Sequence, residues 1–156
     1  MIELGDEKVL YAFDKELEPA LVVPSGTTVR VRTKDCFGNQ VQRPEDELDE
    51  IDWDHINPAT GPIFVEGAVP GGALKVTIEA IEFDGQTASC TGEGEGVCGD
   101  RFDAWSTHLC KIDGDELVWD EELRIPLRPM IGVIGVAPAG EPVNCGTPGS
   151  HGGNMD

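Results

Sequence analysis

Glycine and proline interrupt this sequence at short intervals, and that spacing constrains the fold more than any other feature. The chain holds 20 glycines and 11 prolines among its 156 residues. Both residue types weaken long helices and mark turns, so the runs between them favour short strands. In two of these runs, 27–33 and 74–82, apolar residues alternate with polar ones. This is the period of a half-buried strand, and an all-β fold is therefore predicted.

Two Asp-Gly pairs predict where strands reverse direction. Asp113-Gly114 lies within 109–127, and Asp84-Gly85 ends the alternating run that starts at residue 71. Asp-Gly favours the type I′ turn of a two-residue hairpin. Each pair therefore predicts an antiparallel hairpin, and the second is expected to lead the chain into a strand over 86–92.

The remaining segments complete a single predicted β-rich domain over 1–156. The short apolar run 131–138 predicts a buried strand. The stretch 44–56 is the one candidate for a short helix, and 139–156 predicts a Gly/Pro-rich site loop or tail. Several short strands separated by turns are typical of an antiparallel β-sandwich or jelly-roll-like unit. The predicted fold class is all-β with at most short helices.

The charge of the chain restricts its partners. Thirty acidic residues stand against 11 basic ones, for a net charge of −19. Nucleic acids and anionic membranes are held by Lys and Arg, so neither is expected as a partner. The chain start lacks the features of a signal peptide and no apolar run is long enough to span a membrane, which predicts a cytoplasmic protein. The dispersed acidic residues fit a solvated surface adapted to high salt, and ordinary solubility explains them as well; a calcium- or salt-adapted binding module is a more distant alternative.

The five cysteines are an odd number and form no CxxC pair. We therefore expect free thiols that fill space in the strands, in preference to disulfides or a zinc site.

Polar side chains follow several of the apolar runs. Asp35 and Asn39 surround a tight turn, and serving that turn explains them as well as a binding role does. Asn57 opens a stiff Pro- and Gly-containing connection that leads to Glu66, at the end of an apolar run. Such an acid is either an exposed strand end or a candidate general base.

The last part of the chain, PMIGVIGVAPAGEPVNCGTPGSHGGNMD over 129–156, resembles the acetamidase/formamidase family. Family members carry a similar strand, a Gly-Pro-rich loop and an HGGNMD-like motif. Two earlier segments, DCFGNQV at 35–41 and NPATGPIFVEGAVPGG at 57–72, are similar to family segments as well. Three separated segments occur in the family order, and the resemblance extends over most of the chain from about residue 20.

The resemblance implies a hydrolase of small aliphatic amides such as formamide and acetamide, which releases ammonia and a carboxylic acid. It also implies a metal-dependent enzyme built from two related β-rich halves, of which this chain is similar to the first. A complementary C-terminal-half chain or a homo-oligomer is therefore the expected assembly, because an isolated half exposes apolar surface. A non-catalytic β-sandwich scaffold or assembly subunit is the alternative.

Metal-activated water would explain the residue types of the tail. Neutral imidazole and carboxylates suit zinc, and calcium is the alternative ion. The predicted metal ligands are Asp35, His151 and Asp156. Glu66 is the predicted general base and Asn154 the residue that orients the amide. Substrate binding is assigned to Asn57 and Asn39.

Overall fold

The computed structural model describes residues 1–83 and 85–155, and these residues confirm the all-β class. The strands are β1 (Ile2–Leu4), β2 (Val9–Leu10), β3 (Ala12–Phe13), β4 (Leu21–Pro24), β5 (Val29–Val31), β6 (Ala59–Thr60), β7 (Ile63–Glu66), β8 (Gln86–Thr91), β9 (Ser106–Asp113), β10 (Glu116–Val118), β11 (Arg124–Pro126), β12 (Val133–Gly135), β13 (Val143–Asn144) and β14 (Gly152–Asn154). Two 3-10 turns, Trp53–His55 and Gly99–Arg101, supply the helical residues. Within the described ranges, no helix is long and apolar enough to cross a membrane.

The chain forms two compact units. The first contains Met1–Gly38, Asp54–Thr77 and the stretch from Ile131 onward, and the second contains Asn39–Trp53 and Ile78–Met130. The assignment of 1–156 to one domain stays a prediction.

The first unit is built from strand pairs. Strands β2 and β6, β3 and β13, and β12 and β14 pair antiparallel. Strands β1 and β5, and β4 and β7, pair parallel, a direction that the hairpin signals did not predict. Strand β12 confirms a strand within 131–138, but its residues are half-buried and not fully buried as expected. Strands β13 and β14 lie in the segment predicted to be a loop or tail, which is therefore partly ordered by strand pairing.

The core of the first unit lies where β2, β3 and β13 meet. Leu10, Phe13 and Cys145 are buried together, and Ala59 and Val133 pack against them. The amide of Cys145 donates to the carbonyl of the residue between β2 and β3, at 2.9 Å. This core connects the start of the chain to its last part.

The second unit contains a four-stranded antiparallel sheet in the order β11, β10, β9, β8. The hairpin about Asp113-Gly114 is confirmed, because β9 and β10 pair with Asp113 opposite Glu116. Gly114 has a φ of 59°, which suits the left-handed turn position.

The strand predicted over 74–82 is wrong for the described part of that run. Residues 73–83 form no strand, and β8 pairs with β9 instead of with this segment. Asp84 of the predicted Asp84-Gly85 turn lies outside the described residues. Leu74 and Val76 are about half exposed. Alternation alone does not make a strand, because the segment needs a neighbouring strand for its hydrogen bonds.

The helix considered for 44–56 is present only as the 3-10 turn at its end. Leu48 is buried, and its carbonyl accepts a hydrogen bond from the Trp53 indole at 2.9 Å. Asp46 accepts hydrogen bonds from the amides of Gln42 and Arg43, which fixes a turn at the start of the segment.

Candidate active site

A glycine-containing strand pair, β12 with β14, carries the motif in the last part of the chain. In the pairing of β12 with β14, Gly135 lies opposite Gly152 and Ile134 opposite Gly153. Gly152 and Gly153 have φ values of 108° and 96°. A Cβ on Gly152 would overlap the carbonyl oxygen of Ile134, and one on Gly153 would overlap that of Thr147. Only glycine allows this backbone to lie between its neighbours.

His151 lies in a tight turn directly before β14 of this strand pair. The amides of Gly149 and Gly152 each donate to the other's carbonyl, at 2.8 and 3.0 Å. The carbonyl of His151 accepts from the amide of Val136 at 2.8 Å. The imidazole packs against Phe13 with ring centroids 5.6 Å apart. The backbone of the turn therefore fixes where the imidazole lies.

The Nε2 atom of His151 is buried and has no hydrogen-bond partner among the described residues. Buried side-chain nitrogens are nearly always hydrogen-bonded or bound to a ligand. An orphaned imidazole nitrogen is therefore a candidate ligand atom for a metal or a hydrogen-bond partner for a bound molecule.

Asn57 lies against the loop that precedes β14. A Cβ on Gly146 would lie 3.3 Å from the Asn57 Nδ2, and Gly146 is itself held by a hydrogen bond to the Asn144 side chain at 2.8 Å. The Asn57 amide donates to the carbonyl of Cys36 at 2.7 Å. Asn57 has a φ of 50°, a left-handed conformation that Asn tolerates. It therefore links the turn after β5 to the site loop.

The turn after β5 carries two more predicted site residues. The carbonyl of Asp35 accepts from the amide of Gly38 at 2.9 Å, so the tight turn is confirmed. Asp35 is exposed, and the hydrogen bond from the Asn57 amide to the Cys36 carbonyl places its turn next to Asn57. Asn39 has a φ of 63° and belongs to the second compact unit. Asp35, Asn57 and His151 thus lie in one unit, whereas Asn39 does not.

Glu66 is the last residue of β7, opposite Pro24 of β4. Its side chain is exposed, so the described residues do not supply the burial that favoured it as a general base. Glu66 and His151 lie on different strand pairs. The predicted general base and the predicted metal ligand are therefore carried by different strand pairs, β4–β7 and β12–β14.

The ligand set predicted for a metal is not complete among the described residues. Within 1–83 and 85–155, no three His, Cys, Asp or Glu side chains come close enough to share an ion. Asn154 is half-buried on β14, opposite Val133. Asp156 lies outside the described residues, so a set that includes it stays a prediction.

Tyr11 and His55, which were not predicted as site residues, form an edge-to-face pair with ring centroids 4.7 Å apart. Tyr11 is joined to the core because its carbonyl accepts the amide of Cys145. Tyr11 and Phe13, two positions apart, thus each contact one of two histidines. The alternate positions of Tyr11 and Phe13 were the only feature of the sequence that could have indicated these two contacts, and no motif accompanied them.

The cysteines are free thiols, as expected. Cys145 is fully buried, and burial raises the pKa of its thiol to about 11. Burial also raises the pKa of the Cys110 thiol. A thiol that stays protonated at neutral pH is a poor nucleophile, so Cys145 fills the core beside the site.

The same all-β fold occurs in solved structures of acetamidases. A predicted acetamidase/formamidase from the thermophile Thermoanaerobacter tengcongensis is 49% identical, with a TM-score of 0.93 over 99% of this chain and 51% of that protein. An acetamidase from Bacillus halodurans is 43% identical, with a TM-score of 0.87 over 99% of this chain and 52% of that one. An acetamidase from Yersinia enterocolitica, 22% identical with a TM-score of 0.76, shares the fold over 99% of this chain and 52% of its own.

The acetamidase/formamidase family model matches residues 4–144. The chain belongs to the acetamidase/formamidase family. It spans about half the length of the solved structures that it matches. None of the curated proteins matches it.

Proposed function

We propose that this chain forms part of an amidase that hydrolyses small aliphatic amides, such as formamide and acetamide, to ammonia and the carboxylic acid. Family membership supports amide hydrolysis. The observation that carries the mechanism is the buried Nε2 of His151, which has no partner among the described residues. We further propose that a divalent metal, zinc in preference to calcium, activates the water.

His151 fits a metal because a neutral imidazole nitrogen is a common zinc ligand and its Nε2 has no competing hydrogen bond among the described residues. Asp35 and Asp156 would complete the set with the negative charge that a divalent ion requires. When bound, the ion lowers the pKa of water to about 7 and polarises the amide carbonyl.

The chain's own side chains would bind the amide and move the proton. Asn154 would hydrogen-bond the amide and orient it, with Asn57 and Asn39 contributing to substrate binding. Glu66 would accept a proton from water and return one to the leaving nitrogen. Because Glu66 is exposed in this chain, that task requires a cover over β7.

The active assembly would contain more than this chain, either a complementary C-terminal-half chain or further copies, and would work in the cytoplasm. The half-length match supports a complementary half. A non-catalytic assembly subunit is the second candidate, favoured by the exposure of Glu66.

The test is ammonia release from formamide and acetamide, with and without added zinc or calcium, beside metal content by elemental analysis. His151→Ala and Asp156→Ala should lose metal and activity together. Glu66→Gln should keep the metal and lose turnover. His108→Gln is the matched control, because His108 Nε2 already contacts the Trp119 carbonyl at 2.7 Å.

These measurements use an assembly that contains the second half if this chain alone is inactive. If both tail variants keep full metal occupancy and activity, the ligand assignment is wrong. If the assembly binds metal but never releases ammonia, the scaffold alternative is correct.

A further inference from the structure

The outer face of the β4–β7 pair is largely apolar, and its apolar residues Val22 and Phe64 are about half exposed. The parallel register places Val22 opposite Phe64 and Pro24 opposite Glu66. These four side chains are exposed, whereas Val23 on the other face is buried. Val22 and Phe64 keep 54% and 52% of their residue surface in water. Parallel strands are normally covered on both faces, so this pair lacks half of its usual packing.

The total surface of the chain also indicates a missing cover. Its accessible surface is 11107 Å². A globular protein of 16.7 kDa exposes about 7,600 Å². Even two separate globules of half this mass would together expose only about 9,200 Å². The excess is therefore at least about 1,900 Å², more than one partner contributes to a standard protein interface.

The length of the relatives identifies what could cover this face. This chain aligns over 99% of its own length but over only 51% and 52% of the two relatives that share more than 40% identity with it. Those proteins therefore contain a further part that is nearly as long as this chain.

A second copy of this chain fits the face less well. A twofold contact through the same face would bring two Glu66 carboxylates towards each other. Each copy also carries a net charge of −19, and like charges oppose association.

We propose that the outer face of β4–β7, formed by Val22, Pro24, Phe64 and Glu66, binds the polypeptide that corresponds to the part of the relatives not covered by this chain. The apolar residues supply the contact area. Glu66 is enclosed by the same contact, so the proton-transfer residue leaves bulk water only when that polypeptide is present. This last step rests on the proposed function, whereas the docking itself does not.

The experiment co-expresses the tagged full chain with the part of the Thermoanaerobacter tengcongensis protein that this chain does not cover. Capture on the tag, followed by light scattering, measures whether a complex of one copy of each forms. Phe64→Ser and Val22→Ser should weaken the purified complex about tenfold or more, because each removes apolar area from the contact. Val97→Ser is the matched control, since Val97 is fully exposed on a loop of the second unit and should bind as the wild type does.

Both docking variants should keep the wild-type far-UV spectrum and melting temperature, because their side chains are already half in water. Absence of a complex, or unchanged affinity in both variants, overturns the proposal. Self-association of the chain that Phe64→Ser removes assigns the face to a second copy and overturns it as well. Binding is measured without metal or substrate. A complex that forms but releases no ammonia therefore contradicts the proposed function and leaves the docking surface standing.

Discussion

Replacing Gly153 with alanine tests whether β14 of the glycine-containing strand pair packs against residues 147–148 as its geometry indicates. Gly153 has a φ of 96°, which side-chain-bearing residues rarely adopt. An added Cβ would overlap the carbonyl oxygen of Thr147 and lie 2.9 Å from the Thr147 carbonyl carbon and 3.2 Å from the Pro148 Cα. These neighbours are backbone atoms, so the loop 147–148 has to move.

Two in-chain controls separate the contributions to the free energy of unfolding. Gly26 has a φ of 86° but nothing within 4 Å of its added Cβ, so Gly26→Ala should cost about 1–2 kcal/mol from backbone conformation alone. Gly140 has neither a positive φ nor a close neighbour, and Gly140→Ala should be neutral or stabilise by about 0.5 kcal/mol. Gly153→Ala adds a steric term of about 1–3 kcal/mol to the conformational one, for a total of about 2–5 kcal/mol.

Urea unfolding of the three variants and the wild type measures these differences. A loss of about 3 kcal/mol lowers the melting temperature of a chain of this size by roughly 6–12 °C. Because the moved loop precedes His151, Gly153→Ala should also weaken the proposed metal binding in the assembly. If Gly153→Ala costs no more free energy of unfolding than Gly26→Ala, β14 is not packed against residues 147–148 as described and the steric argument fails.

Three further predictions concern the core, the thiols and an acidic turn. Phe13→Ala should cost about 3–5 kcal/mol in urea unfolding, because Phe13 fills the core beside Cys145, whereas Phe83→Ala should cost no more than about 1 kcal/mol at a half-exposed position. Cys98 should react with Ellman's reagent at pH 8 much faster than the buried Cys145, and equal reaction rates would contradict this burial. Because burial raises the pKa of the Cys145 thiol, its contribution to stability should be complete below pH 9.0 and lost as pH rises towards about 11. A stability that stays flat over this alkaline range would refute the raised pKa. The hydrogen bond from the Gln42 amide, followed by that from the Arg43 guanidinium, holds the pKa of Asp46 below its usual 3.8. The stability that Asp46 contributes should therefore be present above pH 3.8 and lost as pH falls below it. Acid titration of Asp46→Asn should lack that loss.

Part of the candidate site was also predictable from the sequence. The residues of the HGGN motif and the turn at Asp35 were identified from residue types and from the family resemblance. The metal-ligand set stays a prediction, since Asp156 lies outside the described residues. The orphaned Nε2 of His151 and the pairing of Tyr11 with His55 could not be predicted, because each histidine ring contacts an aromatic ring from a distant part of the chain.

Local rules by themselves determined the all-β class, the hairpin at Gly114, the strand within 131–138 and the free thiols, because alternation, turn chemistry and cysteine spacing act over a few residues. Only the tertiary structure decided the parallel pairing of β4 with β7, where Leu21 meets Ile63. It also decided that 73–83 forms no strand and that Glu66 is exposed. Pairing between distant segments depends on which surfaces remain available after the rest of the chain has folded, and no local pattern contains that information.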